Sequence, residues 1–163
     1  MEFDSFVLAT STDDLSVEPG ARDLADAVEF RMDMAEEPLS QLASYAGELP
    51  ILVTNRVEWE GGNAADTADR LELLAAALEH EYVEAVDLEL RALADSTAAN
   101  VDATWVASKA ADRDANVIAS AHDFETTPSR SELDTLLEDA CSLGDVGKVA
   151  VTAAGPGDVL RLL

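Results

Sequence analysis

Six short apolar runs alternate with longer helical stretches along this chain, and this alternation limits the fold more than any other feature. The predicted strands are FVLATS near the start, AVEFRMD (27–33), PILVTNRV (50–57), EAVDLEL (84–90), NVIASAHD (116–123) and GKVAVTA (147–153). The predicted helices lie at about 20–26, 38–46, 64–80, 98–110 and 129–141, and a last helix begins in PGDVLRLL. Such alternation is typical of an α/β protein with a parallel sheet and helical crossovers.

Charged residues inside the predicted strands narrow the choice of α/β fold. The period of two places Glu29, Arg31 and Asp33 on one face of the second strand, and Asp87 and Glu89 together on the fourth. Strands of an open parallel sheet are buried on both faces and are nearly all apolar. Repeated charge on one face therefore favours a (β/α)8 TIM barrel, whose inner face carries the active site, over an open doubly wound sheet.

The composition limits the partners of this protein. Its 163 residues fit one domain, and 34 acidic residues against 10 basic ones give a net charge of −24. This charge disfavours binding to nucleic acid or to an anionic membrane, and in dilute salt it should destabilise the compact state. No apolar run is long enough to span a membrane, no secretory signal is visible, and Cys141 is the single cysteine. We therefore expect a cytoplasmic protein without disulfides.

Lys148 is the most informative single residue, since the chain has only one other lysine, Lys109. It lies in the apolar run GDVGKVAV. An apolar environment disfavours the charged ammonium, and the neutral amine is the form that attacks carbonyl groups to make a Schiff base. The alternative is a lysine whose stem covers apolar surface while its ammonium stays in water.

Four segments of the sequence together indicate a particular protein family. In order they are EFRMD, TNRVEWEGG, SAHDFETTPS and VGKVAV, and they contain the strings R-x-x-x-EGG and HDF-x-x-TPS. Their order and spacing resemble the signature segments of the type I 3-dehydroquinate dehydratases, in a form similar to haloarchaeal proteins because of the acidic composition. The resemblance runs from the first predicted strand through the sixth.

This resemblance implies a lyase of the shikimate pathway that removes water from 3-dehydroquinate to give 3-dehydroshikimate, without a metal or an organic cofactor. Lys148 corresponds to the lysine that forms the Schiff base, and His122 to the general acid and base. The pKa of a free histidine side chain lies near neutrality, which suits that role. Glu60 corresponds to the carboxylate that orients the histidine.

The substrate-binding residues implied by the resemblance are Arg56 and, in EFR, Glu29 and Arg31. Glu89 lies in the matching fourth-strand segment and is a further possible site residue. The alternative for these groups is an internal network of salt bridges at the mouth of a barrel. A homodimer is also implied by the resemblance.

The match is incomplete at its C-terminal end. The family's seventh and eighth strands carry an arginine, a serine and a glutamine that have no counterpart before Leu163. We therefore expect residues 1–163 to form a single barrel domain that lacks its C-terminal strands, by truncation or as a short form completed by a partner. Two other functions stay open: a Schiff-base barrel enzyme of the class I aldolase type, and a non-catalytic barrel fragment.

Overall fold

In the computed structural model, which describes residues 1–95 and 102–162, the six predicted strands form one parallel sheet. The strands are β1 (Ala9–Thr12), β2 (Ala27–Arg31), β3 (Ile51–Thr54), β4 (Val83–Glu89), β5 (Asn116–Asp123) and β6 (Val146–Val151). Each strand pairs in parallel with the next one in sequence. The predicted α/β class with a parallel sheet is confirmed.

The strand order distinguishes between the two candidate architectures. It runs β1-β2-β3-β4-β5-β6 without a reversal, whereas a doubly wound sheet reverses its order at a switch point. The sheet is also strongly curled. Its curvature brings Nζ of Lys148 on β6 to 3.3 Å from Oε1 of Glu29 on β2. The sheet is therefore a curled partial barrel with the strand order of a (β/α)8 barrel.

Six helices correspond in order to the six predicted ones, with different bounds, and a further short helix at Leu90–Ala94 was not predicted. They are α1 (Glu18–Ala21), α2 (Pro38–Ser44), α3 (Ala68–Ala77), α4 (Leu90–Ala94), α5 (Ala103–Ala111), α6 (Arg130–Leu143) and α7 (Pro156–Leu162). The helix predicted at 20–26 was wrong in place, since α1 ends at Ala21. Pro19 lies in the first turn of α1. Backbone N–H groups in a first turn have no partner within the helix, so the missing N–H of proline does no harm there. The start of the helix predicted at 98–110 lies outside the described residues.

The outer face of the sheet packs on the helices and forms the main core. Val28, Phe30 and Met32 of the second predicted strand all belong to it, as the alternation predicted. Within residues 1–95 and 102–162, no helix is long and apolar enough to cross a membrane.

The inner face changes from apolar to polar along the strands. Near the amino ends of the strands it carries Leu52, Ala85, Ile118 and Val146, with Met1 and Phe3 packed against them. Towards the carboxyl ends the same face carries Glu29, Thr54, Asp87, Ser120 and Lys148. The fold therefore gathers charged side chains above a small apolar floor.

Candidate active site

Lys148 extends from the edge strand β6 over the polar part of the inner face. Its Nζ atom donates to Oδ2 of Asp87 at 2.9 Å and to Oε1 of Glu29 at 3.3 Å. These carboxylates stand on β4 and β2, so the lysine reaches across the concave face of the sheet. Its side chain keeps 32% of its surface exposed, which leaves room for a small molecule to approach the nitrogen.

The ionisation of Lys148 depends on more than its burial. Burial alone would lower the pKa of this lysine, but the negative charges of Asp87 and Glu29 outweigh burial and raise the pKa above its usual value. The burial expected from the sequence is therefore present, but it does not decide the pKa of this lysine. Sequence analysis considered the apolar residues beside Lys148 and missed the two carboxylates across the sheet.

Glu29 lies between the lysine and an arginine. Its Oε1 accepts a hydrogen bond from Oγ1 of Thr54 at 3.1 Å and lies 3.7 Å from Nη2 of Arg56. Burial would raise the pKa of Glu29, but the charges of Lys148 and Arg56 and hydrogen bonds to its carboxylate lower it. The buried Nε of Arg56 has no hydrogen-bond partner among the described residues.

His122 and Glu60 form a second unit of the site. Nδ1 of His122 lies 2.8 Å from Oε2 of Glu60, and only 2% of the histidine side chain is exposed. The ring also stacks on Phe124, with 5.9 Å between the ring centroids. Because a carboxylate can only accept, the hydrogen bond assigns the proton of neutral His122 to Nδ1 and leaves the lone pair on Nε2.

Two glycines explain how the loop after β3 presents Glu60. Glu60 ends a 3-10 turn (Glu58–Glu60), and Gly61 follows with φ of +74°, a conformation that favours glycine. A Cβ atom on Gly62 would lie 1.9 Å from the carbonyl oxygen of Arg56. The EGG string is therefore required by the shape of the loop that carries both Arg56 and Glu60.

Arg31 is held at the carboxyl end of β2. Its Nε and Nη2 atoms donate to the two carboxylate oxygens of Asp33 at 2.9 and 2.7 Å. Asp33 also accepts from the backbone N–H of Asn63 at 3.1 Å, so it joins Arg31 to the loop after β3. Sequence reasoning placed Asp33 on the charged face but gave it no role.

Glu89 is not in contact with the other predicted site residues. It is buried, and both of its carboxylate oxygens accept from Nη1 of Arg70 on α3, at 3.1 and 2.8 Å. It also accepts from the backbone N–H of Val57 at 3.0 Å, within the loop that carries Arg56 and Glu60. Burial raises the pKa of Glu89 despite the opposing charge of Arg70. This is the internal salt bridge that sequence analysis left open for the site carboxylates.

The rest of the HDF-x-x-TPS string shapes the segment after β5. Both carboxylate oxygens of Asp123 accept hydrogen bonds within the segment, from the backbone N–H groups of Glu125 and Thr126 and from the Thr126 hydroxyl. Ser129 then caps α6, with Glu132 completing a capping box. Of this string, only His122 carries a group suited to chemistry; the others fix the turn and the helix start.

The two units lie on the same edge of the sheet. Ser120 pairs with Lys148 in the register, and His122 follows two residues later on the same face, about 6–7 Å further along the strand. Together they offer an amine with two carboxylates, a buried histidine with a lone pair on Nε2, and two arginines. Among the described residues, no cluster of histidine, cysteine or carboxylate side chains could hold a metal ion.

Comparison with known sequences finds similar proteins over the whole length of this chain. The family model described as type I 3-dehydroquinase matches residues 5–163. The chain is 58% identical to the 3-dehydroquinate dehydratase of Haloarcula marismortui over 163 residues, which is all of this chain and 70% of that protein. It is 50% identical to the 3-dehydroquinate dehydratase of Halobacterium salinarum, again over 163 residues and 71% of that protein.

Solved structures of 3-dehydroquinate dehydratases also resemble this chain. The 3-dehydroquinate dehydratase of Geobacillus kaustophilus superimposes with a TM-score of 0.77 at 27% identity, over 97% of this chain and 66% of that one. The type I 3-dehydroquinate dehydratase of Clostridium difficile, solved with covalently modified comenic acid, gives a TM-score of 0.76 at 25% identity, over 98% of this chain and 69% of that one.

Proposed function

This chain belongs to the type I 3-dehydroquinase family, and we propose that it is a hydro-lyase that converts 3-dehydroquinate into 3-dehydroshikimate. The observation that carries this proposal is the placing of the Lys148 nitrogen, beside Asp87 and Glu29, on the same face as the buried His122–Glu60 pair. An amine and an acid–base group on one face of a sheet are the parts needed to eliminate water next to a ketone.

Lys148 supplies the electron sink. Its nitrogen condenses with the substrate ketone, forming a C=N bond and releasing one water molecule. The resulting iminium draws electrons from the adjacent carbon, so that carbon loses its proton more easily than it would beside the ketone. Asp87 and Glu29, which face the nitrogen at 2.9 and 3.3 Å, stabilise its positive charge.

His122 moves the proton. Nε2 carries the free lone pair while Nδ1 donates to Glu60, so Nε2 removes the proton next to the iminium. The same nitrogen then returns that proton to the hydroxyl on the following carbon, which leaves as water. Glu60 holds the ring in one orientation and stabilises the transient imidazolium, as a carboxylate does in other acid–base pairs.

The two arginines bind the anionic, hydroxylated substrate. Arg56 is buried and keeps its Nε free of partners among the described residues. Arg31 is fixed on Asp33 by two of its donors, which leaves Nη1 free to reach a hydroxyl or carboxylate of the substrate. Glu29, next to both Lys148 and Arg56, can accept from a substrate hydroxyl.

Borohydride trapping tests this function. The protein is mixed with 3-dehydroquinate in concentrated KCl, reduced, and analysed by intact mass and peptide mapping, while the ultraviolet absorbance of the conjugated ketone product is followed. We expect an adduct on Lys148, no adduct on Lys109, and formation of product. A folded chain that forms no adduct on Lys148 would support the non-catalytic alternative, and an adduct formed only with an aldol substrate would support the aldolase alternative.

The oligomeric state is proposed separately. The homodimer implied by the family resemblance stays a prediction for this chain, and light scattering at several protein and KCl concentrations would test it.

A further inference from the structure

We propose that Asp87 is a further catalytic residue, which takes the proton that Lys148 must lose before it attacks the ketone and returns this proton when water leaves. This inference rests on the proposed function. It gives a role to a buried carboxylate that touches the reacting nitrogen, whereas sequence analysis assigned the residue only to the charged face of the fourth strand.

The geometry holds Asp87 ready for this transfer. Its Oδ2 lies 2.9 Å from Nζ of Lys148, and its Oδ1 accepts a hydrogen bond from the hydroxyl of Ser120. Ser120 is itself the register partner of Lys148 on β5 and is fully buried. One oxygen is thus fixed by the sheet while the other faces the amine, and only 3% of the Asp87 side chain is exposed.

Asp87 suits the transfer better than Glu29, the other carboxylate at the amine. The Lys148 nitrogen lies 0.4 Å closer to Asp87, at 2.9 Å against 3.3 Å. Glu29 also shares its charge with Arg56, whereas Lys148 is the one cation within salt-bridge distance of Asp87 among the described residues. A second cation beside a carboxylate disfavours its protonation, so Glu29 is the poorer acceptor.

The steps balance in atoms and charge. The Lys148 ammonium gives one proton to Asp87, and the free amine forms a C–N bond with the ketone carbon while the oxygen becomes a hydroxyl by taking a proton from the nitrogen. Asp87 then protonates this hydroxyl, the C–O bond breaks, and water leaves as the C=N bond forms. The nitrogen ends as a cationic iminium and Asp87 ends as a carboxylate, so the charge of the site is unchanged.

The surrounding charges make this transfer necessary. Three charged groups face the Lys148 nitrogen: Asp87 from β4, Glu29 from β2 and Arg56 from the loop after β3. Arg56 and burial favour the neutral amine, but the two carboxylates prevail and raise the pKa of Lys148. The resting nitrogen is therefore an ammonium without a lone pair, and a base in contact with it is required before it can attack.

Two measurements on Asp87→Asn test the role. The first labels Lys148 with acetic anhydride across a pH series, with Lys109 as a reference in the same digest; we expect the labelling midpoint of Lys148 to move to lower pH than in the wild type. The second is the rate of trapped imine formation with 3-dehydroquinate, which we expect to fall about a hundredfold, a usual contribution of a proton-transfer group. Asp139→Asn, on the exposed face of α6, serves as the matched control.

The two results together separate proton transfer from a simple charge effect. If Asp87 only supplied negative charge, its removal would make the amine more available and imine formation as fast or faster, and this outcome would overturn the proposal. Asp87→Glu should recover part of the rate, and Ser120→Ala should lower it by a smaller factor. Should Asp87→Asn fail to fold, an unchanged rate in Ser120→Ala and no rate deficit in Asp87→Glu would also overturn it. A wild-type protein without an adduct would instead refute the proposed function itself.

Discussion

The two units of the site are positioned by different means. Lys148, Asp87 and Glu29 all stand on strands, so the register of the sheet fixes where their side chains meet. The His122–Glu60 pair is mixed, because the histidine stands on β5 while the glutamate stands on the loop after β3. That loop is held from outside the pair by Asp33 and by Glu89.

The difference shows where each unit is vulnerable. Groups on strands respond to changes of charge, since their positions are set by the backbone hydrogen bonds of the sheet. A group on a loop responds to changes in the supports of that loop, even when they lie away from the chemistry. The stability that Lys148 and its two carboxylates contribute should therefore depend on pH. The position of Glu60 should instead depend on Asp33 and Glu89, which hold its loop.

The largest expected effect separates the chemistry of the two units. His122→Ala should lower kcat by about 10²–10⁴-fold because it removes the group that transfers the proton. Lys148 should still form its imine, because its carboxylate partners are intact. Steady-state kinetics and borohydride trapping on the same preparation check this. His80→Ala, which changes the other histidine in the turn after α3, should leave both measurements unchanged. A His122 variant without any trapped imine would contradict the separation of the two units.

A slightly smaller effect tests the anchor of the loop. Arg70→Met should destabilise the protein by about 3–5 kcal/mol, because Glu89 keeps a buried charge without its partner. Urea unfolding in concentrated KCl measures this loss. Asp134→Asn breaks an exposed pair with Arg130 and should cost less than about 1 kcal/mol. A similar loss in both variants would show that the buried pair has no special part in holding the loop.

The glycines of the loop give a more local test. Gly62→Ala should cost about 1–3 kcal/mol, because the new Cβ would overlap the carbonyl of Arg56 and the loop must move. We also expect kcat to fall, as Glu60 would be displaced with the loop. Gly157→Ala in α7 is the matched change, since a Cβ there meets nothing within 4 Å and alanine favours a helix. Equal unfolding free energies for the two variants would count against a tightly built loop.

The smallest expected effect concerns the charges on the strands. The folded-state pKa of Glu29 is lowered, so its stabilisation is present above the unfolded pKa and is lost as the pH falls through the folded value. The pKa of Lys148 is raised, so its stabilisation is present below the unfolded pKa and is lost as the pH rises through the folded value. Urea midpoints from acidic to alkaline pH should thus fall at both ends, and Lys148→Met should flatten both falls. Identical profiles would mean that the two charges do not interact.

Much of the fold could be predicted from local sequence. Every predicted strand is present in order, because the runs of apolar residues and the alternation in AVEFRMD report directly on burial. The ends of the helices were predicted less accurately than the strands. The segment around Pro19 forms a 3-10 turn (Leu15–Val17) followed by a helix of 4 residues, and the helix predicted from residue 64 begins at Ala68.

The site could be predicted as a set of residues but not as a set of contacts. Lys148, His122 and Glu60 were identified by sequence strings, and the structure places the last two in contact. The charge state of Lys148 could not be predicted, because Asp87 is 61 residues away in sequence and Glu29 is 119 residues away. Arg70 had no sequence signal, since an arginine on an amphipathic helix is usually exposed.

The strand order has a consequence for how the molecule is assembled. Because every strand pairs with the one made just before it, the sheet can grow from its N-terminal end as the chain leaves the ribosome. The contact between Glu29 and Lys148 is different, as it joins the second strand to the sixth. Until β6 docks, Asp87 has no cation within salt-bridge distance among the described residues and Glu29 has only Arg56, so the inner face of the first five strands carries an excess of negative charge. The same contact that brings Lys148 into the site therefore also neutralises the negative charge on the inner face of the sheet.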